Sequence, residues 1–117
     1  MPNQQNIFDI FSGSYREQRI SLSDAAGNPL DLRAYTVTFY LGKDGQVVLS
    51  KSSTDNPPTI ILEDQAQSLG QCRVIFNSSD TTGASGNYTY EVWLMDGNGK
   101  SYLILYGNAS IKSTMRA

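Results

Sequence analysis

Histidine is absent from this sequence and cysteine occurs once. Without an imidazole there is no Ser-His-Asp or Cys-His pair, no proton shuttle near neutral pH and no histidine-bearing zinc site. One cysteine excludes an internal disulfide and a cysteine-rich metal cage. Charge is sparse as well: 17% of residues are charged, nine basic against eleven acidic, for a net −2. No basic stripe exists to track a phosphate backbone, so nucleic acid is not an expected partner. No run approaches the ~20 apolar residues of a membrane-crossing helix, and no membrane partner is expected. The opening stretch from Met1 to Gly13 has neither a basic start nor a continuous apolar run. It does not read as a secretory signal, and synthesis in a cytoplasm is the expectation. The inventory points to no catalysis, no cofactor and no metal.

What is present is a chain of 117 residues, 39% hydrophobic, in which Ser, Thr, Asn and Gln make up about a third. That length suits one domain, burying roughly 65% of the surface its unfolded chain would expose. Apolar residues recur with period two. In the run from Arg33 to Leu41, Tyr35, Val37, Phe39 and Leu41 share one face while Thr36 and Thr38 take the other. From Gly86 to Met95, Tyr88, Val92 and Leu94 stand with Tyr90, opposite Asn87, Thr89, Glu91 and Trp93. Shorter β-rich runs follow at Thr59–Leu62, Cys72–Phe76 and Ser101–Tyr106, with a weaker one over Tyr15–Leu22. Turn residues separate them: Lys43-Asp44-Gly45 and Asp96-Gly97-Asn98-Gly99 read as hairpins, and Asn56-Pro57-Pro58 as an extended entry. Glu63 to Leu69 is long enough for one helical turn. The expected fold is all-β: an antiparallel sandwich of seven to eight strands, with Val37, Phe39, Val74, Phe76, Val92 and Leu94 facing inward.

Cys72 shares parity with Val74 and Phe76, which predicts an inert core thiol. Glu63-Asp64 is the only adjacent carboxylate pair, and it reads as a solvated turn rather than as an acid–base couple across a cleft. Asp96-x-Asn98 echoes the start of a calcium loop, but Lys100 falls where a third oxygen ligand belongs. Three N-x-[ST] sequons, at Asn77, Asn87 and Asn108, carry no expectation of glycosylation here. Two regions stand out as candidate partner-binding sites. Trp93 sits on the polar parity of its strand, as an outward anchor or under a covering loop. Residues 1–14 hold the cluster Ile7, Phe8, Ile10 and Phe11 ahead of a Ser12-Gly13-Ser14 joint. This segment is either an extra edge strand of its own sandwich or an arm docking on a neighbour. The arm reading gives an arm over 1–14, a sandwich over 15–112 and a tail over 113–117.

Asp80-Thr81-Thr82, then Gly86-Asn87-Tyr88-Thr89-Tyr90, resembles the corner before the second cysteine of immunoglobulin domains, stretched by Gly83-Ala84-Ser85. Tyr90 would occupy the inward cysteine position and Tyr88 would be the corner tyrosine. In order, Gly27-Asn28-Pro29-Leu30-Asp31-Leu32, then Asp80, Thr81, Gly86, Tyr88, Tyr90, Glu91 and Val92, then Asp96, Gly97, Leu103 and Gly107 resemble the immunoglobulin-like domain of phage baseplate upper proteins. The likeness covers about residues 15–112 and extends to small accessory proteins of tailed-phage virions. It implies a non-enzymatic structural subunit: a capsid cement or decoration protein, or a tail or baseplate adaptor. Its partners would be the major capsid protein or tail and baseplate proteins, and it would be a homo-oligomer in the particle. Baseplate upper proteins carry a long extension after this domain while this sequence ends at Ala117, which points to a free-standing subunit. The competing expectation is a carbohydrate-binding module using Trp93 and surface tyrosines.

Overall fold

The computed structural model describes residues 3–115. Among the described residues, nine strands, a 3-10 turn (Leu32–Ala34) and one α-helical turn follow in order: β1 (Asn3–Gln4), β2 (Ile7–Phe11), β3 (Arg16–Ser21), the 3-10 turn, β4 (Thr36–Lys43), β5 (Gln46–Ser52), β6 (Ile60–Leu62), β7 (Gln71–Phe76), α1 (Ser78–Thr81), β8 (Gly86–Met95) and β9 (Ser101–Lys112). The larger sheet runs β1-β9-β8-β4-β5, with β2 also on β9, and the smaller one runs β3-β7-β6. This is an immunoglobulin-like sandwich. The path β9-β8-β4-β5 corresponds to strands G, F, C and C′, and β3-β7-β6 to B, E and D. Among the described residues no helix is long and apolar enough to cross a membrane.

Alternation places the core as the sequence predicts. Val37, Phe39, Cys72, Val74, Phe76 and Val92 are fully buried, and Leu94 is 1% exposed. Phe39 stacks on Tyr90 at 5.5 Å and meets Phe76 edge-on at 5.6 Å, so three strands of two sheets converge on one aromatic centre. Asp44 and Gly45, both at positive φ, turn β4 into β5, the backbone twist that a two-residue hairpin requires. Gln65 plugs the loop side: its amide oxygen accepts from Leu32 and Gly70 N–H, and its nitrogen donates to the Glu63 and Gln71 carbonyls. Glu63 to Leu69 forms turns instead of a helix. Asp64 holds them by accepting from Ala66 N–H through its carboxylate and from Ser68 N–H through its carbonyl.

The N-terminal segment departs from two expectations. Most of the sandwich is antiparallel, but β1 and β2 pair with β9 in parallel. From Asn3 on, the segment also belongs to the domain's own sheet, which corrects the docking arm expected over 1–14 in favour of the edge-strand reading; Met1 and Pro2 lie outside the described residues. Ile7 and Ile10 are 2% and 0% exposed within the core. Strict alternation would send Ile7 and Ile10 to opposite faces. A bulge prevents that: Asp9 takes φ 60°, and three residue steps from Ile7 to Ile10 span two on β9, from Ala109 to Ile111. Both isoleucines therefore point inward while Phe8 and Phe11 point outward. The Ser-Gly-Ser joint is a fixed corner. Ser12 Oγ donates to the Thr81 carbonyl at 2.7 Å, and Gly13 N–H donates to Thr81 Oγ1 at 2.9 Å. The strand β9 also runs on to Lys112, well past the expected end at Tyr106.

Candidate functional site: the outer face of the larger sheet

Core burial on one side of β4, β8 and β9 fixes what the other side presents, because successive side chains alternate. The register sets Tyr40, Glu91 and Tyr106 in one row across these strands. Thr38 and Trp93 stand with Leu103 in the next, and Thr36 and Met95 with Ser101 in the third. At the β5 side, Val47 lies opposite Gly42, a position without a side chain to cover it. A groove of about 510 Å³ follows, lined by Thr38, Tyr40, Val47, Glu91, Trp93 and Met95. Val47 is 62% exposed and Met95 42%, while Trp93 and Tyr40 are half-buried. The Trp93 indole N–H donates to Glu91 Oε1 at 2.9 Å, which fixes the ring against its own strand. A wide, mostly apolar surface around one oriented indole, with the Glu91 carboxylate as its one charged group, can seat an apolar protein surface. It holds no nucleophile–base pair.

The five residues singled out from sequence do not form one site. Ile7 and Ile10 are core, which removes them as partner contacts. Trp93 is at the groove. Phe8, 64% exposed, sits at the opposite end of the same face in a second depression of about 330 Å³, beside Asn6, Asn87, Asn108 and Ser110. Phe11, 48% exposed, lies next to β9 at Lys112, whose ammonium pairs with Asp9 at 2.9 Å. Tyr40, Val47 and Met95 were not anticipated. Tyr40 shares the polar parity of Thr36 and Thr38, which was the available signal; Val47 reaches the face only through a bulge between Leu41 and Gly42.

Two sequons also meet on this face. Asn87-Tyr88-Thr89 pairs residue for residue with Asn108-Ala109-Ser110, so that Asn87 faces Ser110 and Thr89 faces Asn108. The tyrosines are structural: Tyr90 holds the inward position expected of it, and it also takes the bond expected of Tyr88. Tyr90, not Tyr88, bonds back to the chain: its hydroxyl donates to the Gln5 carbonyl at 2.6 Å, and burial pushes its pKa up to about 12. Tyr88 lies under the Lys43 ammonium at 4.9 Å. The remaining candidates are used internally. Glu63 pairs with Arg73, and the Asp96 carboxylate accepts from Asn98 and Lys100 N–H in its own turn.

No protein-family model and no curated protein sequence matches this chain. Solved structures do. A chain from the crystal structure of ICOS in complex with ICOS-L and an anti-ICOS-L VNAR domain aligns at 15% identity and TM-score 0.45, over 97% of this chain and 56% of that one. Drosophila OTK extracellular domains 3–5 align at 15% identity and TM-score 0.35, over 96% of this chain and 33% of that one. The 2,6-sialyltransferase of Photobacterium sp. JT-ISH-224 aligns at 8% identity and TM-score 0.37, over 96% of this chain and 18% of that one. This chain thus spans little more than half the length of the first and a third or less of the other two. At these scores the fold assignment rests on the strand order itself.

Proposed function

We propose that this protein is a non-enzymatic structural subunit of a tailed-phage virion that docks on neighbouring capsid, tail or baseplate proteins through the outer face of its larger sheet. One observation carries the docking: Tyr40, Val47, Trp93 and Met95 form a connected apolar surface that none of the described residues covers. Interface centres are enriched in aromatic residues and methionine and depleted of charge, and this groove has that composition. The phage setting comes from the ordered sequence resemblance over residues 15–112. A sequence without histidine, whose lone thiol is buried, supports a role without catalysis.

The test is direct. Antibody raised against the chain should decorate intact tailed particles in electron micrographs, at one repeated location. A Trp93→Ala, Val47→Ser double variant should stay folded yet lose incorporation into particles, since both side chains face outward. Unlabelled particles, or full incorporation of the double variant, would overturn the reading.

A further inference from the structure

The outer face has a second end with different chemistry. Around Phe8 it offers a phenyl ring, the side-chain amides of Asn87 and Asn108, and the hydroxyl of Ser110. No charged residue lines the depression. Asn6 closes one side by accepting the Asn108 N–H on its amide oxygen at 3.1 Å. Among the described residues, neither the Asn87 nor the Asn108 side-chain amide has a hydrogen-bond partner within the chain, so each presents two donors and an acceptor outward.

These are costly choices for a sheet. Asparagine is among the residues depleted from strands, and here two occupy facing strands at diagonal positions, where Thr or Val would be the better strand formers. An exposed phenylalanine stands beside them. Local rules broken together at one spot, with no gain in packing, mark a site.

We propose that this depression binds a neutral saccharide. The two amides are diagonal neighbours, about 7–8 Å apart at the backbone, and one sugar ring bridges that span with its hydroxyls. Paired donors and acceptors match adjacent hydroxyls, which are themselves donors and acceptors. The phenyl ring receives the apolar C–H face of the sugar. The lack of charge selects against acidic glycans, whose carboxylates would find no cation here. The site is shallow, so each contact is weak and useful binding comes from many copies displayed together. This assignment does not rest on the docking reading, because the Trp93 groove lies at the far end of β8.

Nuclear magnetic resonance titration with maltohexaose tests it, with chitohexaose and a sialylated hexasaccharide as further arms. Wild-type protein should show saturable shifts of the Asn87 and Asn108 side-chain amide signals with at least one neutral oligosaccharide, and none with the sialylated one. Phe8→Ala and Asn108→Ser, both exposed and expected to fold, should each weaken binding about tenfold or more. The Trp93→Ala variant should bind the sugar as wild type does, which separates this site from the docking groove. No shift at about 20 mM sugar, a concentration that populates even very weak complexes, would overturn the proposal. So would equal binding by Phe8→Ala, shifts confined to Trp93, or tighter binding of the sialylated glycan.

Discussion

Gly107 is where the N-terminal strand is admitted to the sheet. A Cβ there would lie 1.8 Å from the Gln5 carbonyl oxygen, which is backbone and cannot move without the whole segment moving. The same carbonyl accepts the Tyr90 hydroxyl, and Gln5 N–H donates to the Tyr106 carbonyl at 3.0 Å. Gly107→Ala should therefore push β1 and β2 off the β9 edge and destabilise the whole domain with them, seen as a lowered thermal midpoint together with faster proteolysis within residues 3–11. Tyr90→Phe removes only the hydroxyl and should cost about 0.5–1.5 kcal/mol in urea denaturation. If Gly107→Ala leaves the segment protected, the close approach is not essential. Cys72 makes a separate residue-scale test. Burial pushes its thiol up to about 12, from an ordinary value of 9.0. The folded state holds the neutral thiol, so its contribution is complete below about pH 9. It is lost as pH rises, because the unfolded chain ionises first, at up to about 1.4 kcal/mol per pH unit. The urea midpoint should be flat from pH 7 to 8.5 and then fall, and Cys72→Ala should remove part of that fall. Iodoacetamide should label Cys72 only when the domain unfolds.

At the scale of elements, β2 is integral to the fold. Ile10 is completely buried, so Ile10→Ala should lower stability by about 2–5 kcal/mol, the range for truncating a packed isoleucine. Deleting residues 1–11 also strips Ile7 and uncovers the β9 edge, and should give an unfolded or aggregating chain. A soluble truncation with an unchanged thermal midpoint would restore the docking-arm reading. Strand β5 has its own anchor: Lys51 points inward, 5% exposed, and its ammonium meets the Asp80 carboxylate of α1 at 2.6 Å. The same carboxylate accepts from Asn77 N–H at 2.7 Å. Lys51→Ala leaves that carboxylate without its cation in a nearly closed site and should cost about 3–5 kcal/mol by denaturation. These elements differ in how readable they are. Alternation around Phe39, Val74 and Val92 exposed the core strands, because period two is a local property. The β2 bulge depends on one aspartate in a left-handed conformation, and its parallel pairing depends on a partner a hundred residues away. Neither leaves a local mark. The site behaves likewise: Trp93 was visible by parity, whereas its meeting with Tyr40 and Val47 needs two registers and a bulge.

For the whole molecule, the unequal sheets decide which surface is left for partners. The smaller sheet covers its outer side with charge: Arg73 pairs with Glu17 and Glu63, and Tyr15 donates to Glu17. The larger sheet, on the opposite side, exposes aromatic rows in which Glu91 is the one charge among Tyr40, Trp93 and Tyr106. A net charge of −2 supplies little long-range attraction to any partner. Docking through the Trp93 groove should consequently depend on apolar burial and respond weakly to screening. Raising NaCl from about 0.05 to 0.5 M, which shortens the screening length several-fold, should change affinity for particles lacking the protein by less than about twofold. Sodium sulfate, excluded from protein surfaces, should strengthen it. Charge pairing through Arg73, Glu17 and Glu63 would behave in the opposite way, losing affinity steeply with NaCl. A salt titration of binding to depleted particles therefore identifies which face carries the contact: a steep fall would move the interface to the smaller sheet and leave the aromatic rows without the role assigned to them.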